Sequence, residues 1–135
     1  MKKLHVMIVS YPGTWQKVLQ RNFESYPFTE VVNVVNGSLS ASQLAKELAP
    51  DIILIDSSIP LDDTVALLRN LKNEIPKTRS IVITDTTRQT REITRAGADF
   101  TLSSYNLESQ IKEILNQLVE ILPDETESAE KTKDS

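Results

Sequence analysis

Short apolar segments alternate with longer segments of helical periodicity along the chain. The apolar segments are rich in β-branched residues, which favours β-strands, and we predict five of them, at 4–9, 30–35, 52–55, 80–84 and 98–102. The segments between and after them predict five helices, at 14–26, 38–49, 62–75, 89–97 and 106–122. Apolar residues recur every three or four positions in the first, third and last of these, less regularly in the second, and the fourth is short and weakly apolar. Strands alternating with helices indicate βαβ units. The predicted fold class is α/β, a doubly wound five-stranded parallel sheet in a three-layer sandwich.

Most of the predicted helices have a candidate apolar face. The proposed faces are Trp15, Val18, Leu19 and Phe23 in the first helix, Leu39, Leu44 and Leu48 in the second, Val65, Leu68, Leu71 and Ile75 in the third, and Leu107, Ile111, Ile114, Leu115, Leu118 and Leu122 in the last. Candidate caps flank three helices. They are Asp62, Asp63 or Thr64 before the third helix, Gly97 after the fourth and Asn106 before the last.

Composition limits the chain to one folded domain. The chain has 135 residues, of which 39% are hydrophobic and 25% charged, which suffices for a single hydrophobic core. From residue 123 the sequence becomes acidic and rich in hydroxyl groups, with no large apolar side chain. We therefore predict a domain at 1–122 and a disordered tail at 123–135.

Several functional classes are disfavoured by the same composition. A net charge of −4 argues against direct nucleic-acid binding, which depends on clustered Lys and Arg. The chain has no cysteine, and its single histidine, His5, cannot form a His cluster. No apolar run approaches the roughly 20 residues that span a bilayer, and the N-terminal run is too short and polar for a secretory signal. We expect a cytoplasmic protein with no membrane partner.

One carboxylate stands at the end of a strand that is otherwise entirely apolar. Asp56 follows Ile52–Ile55, and in doubly wound sheets ligands bind beyond the carboxyl ends of the strands, where the strand order reverses. The residues that end the other strands should lie near it: Ser10 and Tyr11 after the first, Thr84 after the fourth, Ser103 and Ser104 after the fifth. The predicted crevice holds one carboxylate among hydroxyl groups.

The segment "PDIILIDSSIPLDDTVALLRNLKNEIPKTRSIVITD" resembles the central part of a bacterial response-regulator receiver domain, especially of the kind joined to a helix-turn-helix output domain. Asp56 and Pro60 match the phosphoacceptor Asp and the Pro that follows it. Asp63 matches the acid of the Gly-x-Asp-Gly turn, Thr84 the switch hydroxyl, and "RAGAD" at 95–99 the turn into the fifth strand. The resemblance covers about residues 3–121 and implies the flavodoxin-like receiver fold.

The sequence departs from the receiver pattern at its chemical positions. The resemblance implies an acidic pair that holds Mg²⁺ after the first strand, and a Lys after the fifth, but Ser10, Tyr11 and Ser104 stand there. Thr101 falls on the position of the switch aromatic. Mg²⁺ is usually held by carboxylates, so we expect little or no metal binding, at most a weak site at Asp56, and no other cofactor.

We therefore predict a divergent pseudo-receiver of a two-component or phosphorelay system, with no enzymatic activity and no catalytic residue, that acts through protein contacts. Phosphoryl transfer needs electrostatic stabilisation, which the metal and the Lys supply in this family. On this interpretation Asp56 is a carboxylate satisfied by hydroxyl and amide groups, and Ser10 and Ser104 either bond it or are solvated.

Two alternatives remain open. The chain could be a competent receiver phosphorylated on Asp56, with Asp62 or Asp63 as substitute metal ligands. It could also bind a small molecule in the manner of flavodoxins, although it lacks a phosphate-binding loop after the first strand.

The resemblance also implies partners, namely a histidine kinase or an output protein. Val119 and Ile121 flank the main apolar stripe of the last helix, which is consistent with a homodimer or a partner on that face. Arg88, Arg91 and Arg95 form a basic edge on the fourth helix that is either solvated or attractive to an acidic partner. Trp15 either packs in the core or meets a partner.

Overall fold

A computed structural model describes residues 3–121 as a parallel sheet between two layers of helices. The strands are β1 (Leu4–Val9), β2 (Thr29–Val35), β3 (Ile52–Ile55), β4 (Arg79–Thr84) and β5 (Phe100–Ser103). The helices are α1 (Thr14–Glu24), α2 (Ser38–Leu48), α3 (Leu61–Glu74), α4 (Thr87–Ala96) and α5 (Leu107–Ile121). The predicted order and type of all ten elements are confirmed.

The strand order β2-β1-β3-β4-β5 places the reversal of direction between β1 and β3. From β1 the chain moves outward to β2, then crosses back and builds the other half of the sheet. All four strand pairs are parallel, so the carboxyl ends of all strands share one edge. The residues that follow β1 and β3 therefore flank the crevice where such folds bind their ligands.

One layer of the core lies between the sheet and the helices α1 and α5. Of the predicted face of α1, Leu19 and Phe23 are fully buried there, whereas Trp15 and Val18 are exposed. Helix α5 contributes Leu107, Ile111, Ile114, Leu115 and Leu118. At the edge of this layer the Tyr26 hydroxyl donates a hydrogen bond to the Glu108 carbonyl at 3.1 Å. Burial, with a smaller contribution from the Glu108 carboxylate, raises the pKa of Tyr26, so the phenol remains a donor at neutral pH.

The other layer holds α2, α3 and α4, and here one predicted helix face is wrong. The side chains of α2 that enter the core are Ala41 and Ala45, whereas Leu39 is 88% exposed and Leu48 is also exposed. Leu44 is only partly buried. Small side chains let α2 pack closely against the sheet. This close packing decides which face of α2 is buried, despite the spacing of its leucines. In α3, Leu68 and Leu71 are buried as predicted, and the core also includes Leu67, which lay outside the predicted face.

The helix termini confirm some predicted caps and correct others. Gly97 ends α4 with a φ of 111°, as predicted, and Asn106 precedes α5 with a φ of 51°. The N-cap of α3 is Pro60, not Asp62, Asp63 or Thr64. Pro60 has an extended backbone conformation and Leu61 is the first helical residue. Both aspartates therefore lie inside the first turn of α3. Negative charge there suits the positive end of the helix dipole.

Strand β5 begins two residues later than predicted because Asp99 acts as a turn residue. Its carboxylate accepts a hydrogen bond from the Ser80 backbone N–H at 2.8 Å, and its own N–H donates to the Ser80 hydroxyl at 3.1 Å. Lys72 and Arg79 also lie against this carboxylate, at 3.1 and 3.7 Å. Asp99 thus joins α3, β4 and β5 at the amino-terminal edge of the sheet.

Replacing Gly97 with alanine is expected to lower the free energy of unfolding by about 1 kcal/mol. The φ of 111° is unfavourable for any side chain, and a Cβ would lie 3.1 Å from the Lys72 side chain. The matched control is Gly37→Ala. Gly37 has an extended φ of 171° and open space around it, so that change should cost nothing measurable. Urea denaturation of the two variants checks this, and equal midpoints would contradict it.

Some predictions fall outside the described residues. The tail at 123–135, Leu122, and the side chains of Val119 and Ile121 lie there, so the proposed dimer face of α5 stays a prediction. Within residues 3–121, none of the helices has the length and apolar character needed to cross a membrane.

Candidate functional site

Asp56 lies at the carboxyl edge of the sheet, directly after β3. Its N–H donates to the Val9 carbonyl at 3.0 Å, which continues the pairing of β1 with β3 by one residue. Its carbonyl accepts from the Ile59 N–H at 3.1 Å, so the chain turns at once toward α3. The residue is only 1% exposed. A carboxylate so deeply buried requires hydrogen-bond partners for both of its oxygens.

Two neutral donors from the β1–α1 segment supply those partners. The Ser10 hydroxyl donates to Asp56 Oδ2 at 2.9 Å, and the indole Nε1 of Trp15 donates to Oδ1 at 2.7 Å. The Ser57 hydroxyl lies 3.4 Å from Oδ1. Among the described residues, no Lys, Arg or His forms an ion pair with Asp56. The partners that the structure gives to this carboxylate are therefore neutral hydrogen-bond donors.

Ser10 and Tyr11 lie close to the carboxylate, as their position after β1 predicts, but they differ in exposure. Ser10 is fully buried, whereas Tyr11 is exposed. The Tyr11 backbone N–H donates to the Ser58 hydroxyl at 3.1 Å, which connects the loop after β1 with the loop after β3. The sequence leaves open whether Ser10 and Ser104 bond Asp56 or are solvated, and the structure shows that Ser10 bonds it.

The predicted switch positions lie on the neighbouring strands. The Thr84 hydroxyl, buried at the end of β4, is 2.7 Å from the Thr90 hydroxyl of α4 and 3.5 Å from the Leu102 carbonyl. Thr84 is thereby held toward α4. Thr101 is half-buried and pairs with Val82 in the β4–β5 register.

The remaining predicted site residues lie apart from this cluster. Ser104 is exposed after β5, and its side chain forms no hydrogen bond with Asp56. Asp62 and Asp63 are exposed in the first turn of α3, and Asp63 lines a groove with Leu39 of α2. Their predicted role as substitute metal ligands stays a prediction.

Comparison with known proteins assigns the family. The sequence model of the response regulator receiver domain matches residues 6–116. The chain belongs to this family. Among curated proteins it is similar to two enzymes named protein-glutamate methylesterase/protein-glutamine glutaminase. One is from Hydrogenovibrio crunogenus, 30% identical over 107 residues, and the match covers 79% of this chain and 26% of the relative. The other is from Halalkalibacterium halodurans, 30% identical over 90 residues, covering 67% of this chain and 26% of the relative. The chain thus spans about a quarter of the length of these relatives.

Solved structures of receiver domains share the fold. The response regulator domain of Thermotoga maritima CheB superposes with a TM-score of 0.77 at 22% identity, covering 90% of this chain and all of that one (100%). The receiver domain of the putative response regulator NarL from Mycobacterium tuberculosis gives 0.78 at 20% identity, covering 87% and 98%. These likenesses confirm the predicted flavodoxin-like receiver architecture.

The side chains around Asp56 do not fit the Mg²⁺ ion that the receiver family implies. Mg²⁺ requires oxygen ligands in octahedral geometry, commonly carboxylates. Within residues 3–121, no three His, Asp or Glu side chains come close enough together to hold a metal ion. The indole N–H that points at Oδ1 is a donor and cannot act as a ligand. Asp56 in this receiver is thus a buried carboxylate with hydrogen-bond donors around it, and the described residues do not add the further acids that a Mg²⁺ site needs.

Trp15 is the residue of this receiver site that the sequence reasoning missed. The sequence predicts that Trp15 either packs in the core or meets a partner, and the structure shows instead of core packing a side chain that is 37% exposed with its N–H bonded to Asp56. Its neighbour Gln16 was also missed. One signal was available: an aromatic donor in the first turn of α1, beside positions where the acidic pair is replaced.

Proposed function

We propose that this chain is a pseudo-receiver, a signalling module that keeps the receiver fold but transmits information through protein contacts without phosphoryl chemistry. The observation that carries the proposal is the hydrogen bonding of Asp56, whose two oxygens are bonded to Trp15 and Ser10. Phosphorylation requires a carboxylate oxygen that is free to attack phosphorus and cations that stabilise the transferred group. Both oxygens of Asp56 already accept a hydrogen bond, and no Lys, Arg or His among the described residues pairs with the carboxylate, which supports the proposal.

The proposed partners are a histidine kinase or an output protein of a two-component system. Family membership supports this class of partner, and the exposed arginines of α4, Arg88, Arg91 and Arg95, offer a basic surface on a chain of net charge −4. Arg88 pairs with Glu92 at 3.3 Å. The methylesterase activity named for the two relatives is not part of the proposal, because the chain spans 26% of their length.

Incubation with acetyl phosphate and Mg²⁺ is expected to add no phosphoryl group to the wild-type chain. Intact-mass spectrometry, with and without Mg²⁺, makes the measurement. Asp56→Asn serves as the negative control, and a receiver with its full set of acids and its lysine as the positive control. A Mg²⁺-dependent gain of one phosphoryl group that Asp56→Asn abolishes would show instead a competent receiver with an unconventional metal site.

A further inference from the structure

The indole of Trp15 is hydrogen-bonded to one oxygen of the buried Asp56 carboxylate. Trp15 lies in the first turn of α1, and its N–H bond to Asp56 Oδ1 spans 41 residues of sequence at a distance of 2.7 Å. Trp15 keeps 37% of its surface exposed while Asp56 keeps 1%. The N–H edge of the indole is therefore bonded inward to the buried carboxylate, while about a third of the Trp15 surface faces solvent.

Hydrogen bonds of the residues next to Trp15 fix the backbone at the start of α1. The Gln16 side-chain amide donates to the Ser10 carbonyl at 3.0 Å and to Asn36 Oδ1 at 2.9 Å, which links α1 to the loop after β2. The Tyr11 N–H bond to Ser58 links the same segment to the loop after β3. The start of α1, which carries Trp15, is thus tied to the loops on both sides.

We infer that Trp15 is an intramolecular plug of the phosphoacceptor site. This inference rests on the proposed pseudo-receiver function and adds a second cause for it. The first cause is that Ser10 and Tyr11 replace the acidic pair, so the site lacks ligands for Mg²⁺. The second is that the indole blocks the carboxylate, because its N–H bonds Oδ1 and the ring occupies the path by which a phosphodonor would approach. Restoring the receiver side chains alone is then insufficient to restore phosphorylation.

The first test observes the plug directly in the unmodified chain. Trp15 is the only tryptophan, so one indole N–H resonance appears in a ¹H–¹⁵N NMR spectrum. A charge-assisted hydrogen bond should shift this resonance downfield and slow its exchange with water by about tenfold or more relative to a free indole. Asp56→Ala should remove both effects. Val18→Ala is the matched control, since Val18 is 38% exposed on the same helix and should leave the resonance unchanged. An indole N–H of the wild-type chain that exchanges like a free one would overturn the inference, whether or not Asp56→Ala folds.

The second test asks whether the plug blocks chemistry. One variant carries Ser10→Asp, Tyr11→Asp and Ser104→Lys, which restore the receiver residues, and a second adds Trp15→Ala to these three changes. With acetyl phosphate and Mg²⁺, only the second is expected to gain a phosphoryl group on Asp56. Trp15→Ala alone should gain none, because the metal ligands are still missing.

The outcomes separate the two proposals. Labelling of the three-residue variant with Trp15 in place, or no labelling after Trp15→Ala is added to it, contradicts the plug. Mg²⁺-dependent labelling of the wild-type chain contradicts the pseudo-receiver function itself.

Discussion

Replacing Asp99 with alanine is expected to lower the free energy of unfolding by about 3 kcal/mol, the largest effect of any change considered for this chain. The Asp99 side chain is 14% exposed and accepts hydrogen bonds from the Ser80 N–H and the Lys72 ammonium group, with Arg79 close by. Alanine leaves the Ser80 N–H unpaired at the start of the β4–β5 pairing. It also leaves two cations side by side without their shared anion.

Urea denaturation followed by far-UV circular dichroism measures this loss. The matched control is Glu92→Ala, which removes the acid of the exposed pair with Arg88 on α4. Exposed pairs of this kind contribute about 0.5 kcal/mol or less. If the two variants unfold at the same urea concentration, Asp99 is an ordinary surface acid and the network does not hold the sheet edge together.

Asp56→Ala is expected to destabilise the fold by about 2 kcal/mol, because it leaves the buried Ser10 hydroxyl and the Trp15 N–H without their acceptor. Whether Asp56→Ala lowers or raises the free energy of unfolding distinguishes two kinds of crevice. In a crevice with several carboxylates, removing one relieves repulsion between like charges and stabilises the fold. Among the described residues, Asp56 is not part of such a group of acids, so its removal should only cost hydrogen bonds.

The same denaturation experiment tests this prediction, again by circular dichroism, because that signal does not depend on the contact between Trp15 and Asp56. Asp56→Asn keeps one acceptor oxygen and should lose less stability than the alanine variant. A rise in stability of Asp56→Ala would mean that the carboxylate carries uncompensated charge and that Trp15 and Ser10 are poor partners for it.

The architecture was predictable because its signals are local and repeated. β3 is a run of four fully buried apolar residues bounded by polar ones. In a chain where such short runs alternate with helical segments, the run predicts a buried strand. Helix α2 shows where the approach fails. The leucine spacing predicted one face, but Ala41 and Ala45 form the buried one, because the closeness of a helix to a sheet depends on the partner surface.

The candidate site was predictable in part for a similar reason. Strand-end geometry placed Asp56, Ser10 and Thr84 at one edge of the sheet, and the structure confirms that placement. The contact of Trp15 with Asp56 was not predictable. It depends on a side-chain rotamer and on how three loops close over one another, and neither leaves a periodic signal in the sequence.

The two outer strands bear on how copies of this chain associate. In the pairing of β2 with β1 the register shifts between Val6 and Met7, so that Val32 has no partner residue in β1. The other outer strand, β5, has only four residues. Irregular or short outer strands are poor templates for adding a further strand. Growth of the sheet from one copy into the next, the route to fibrous aggregation, is therefore disfavoured at both edges.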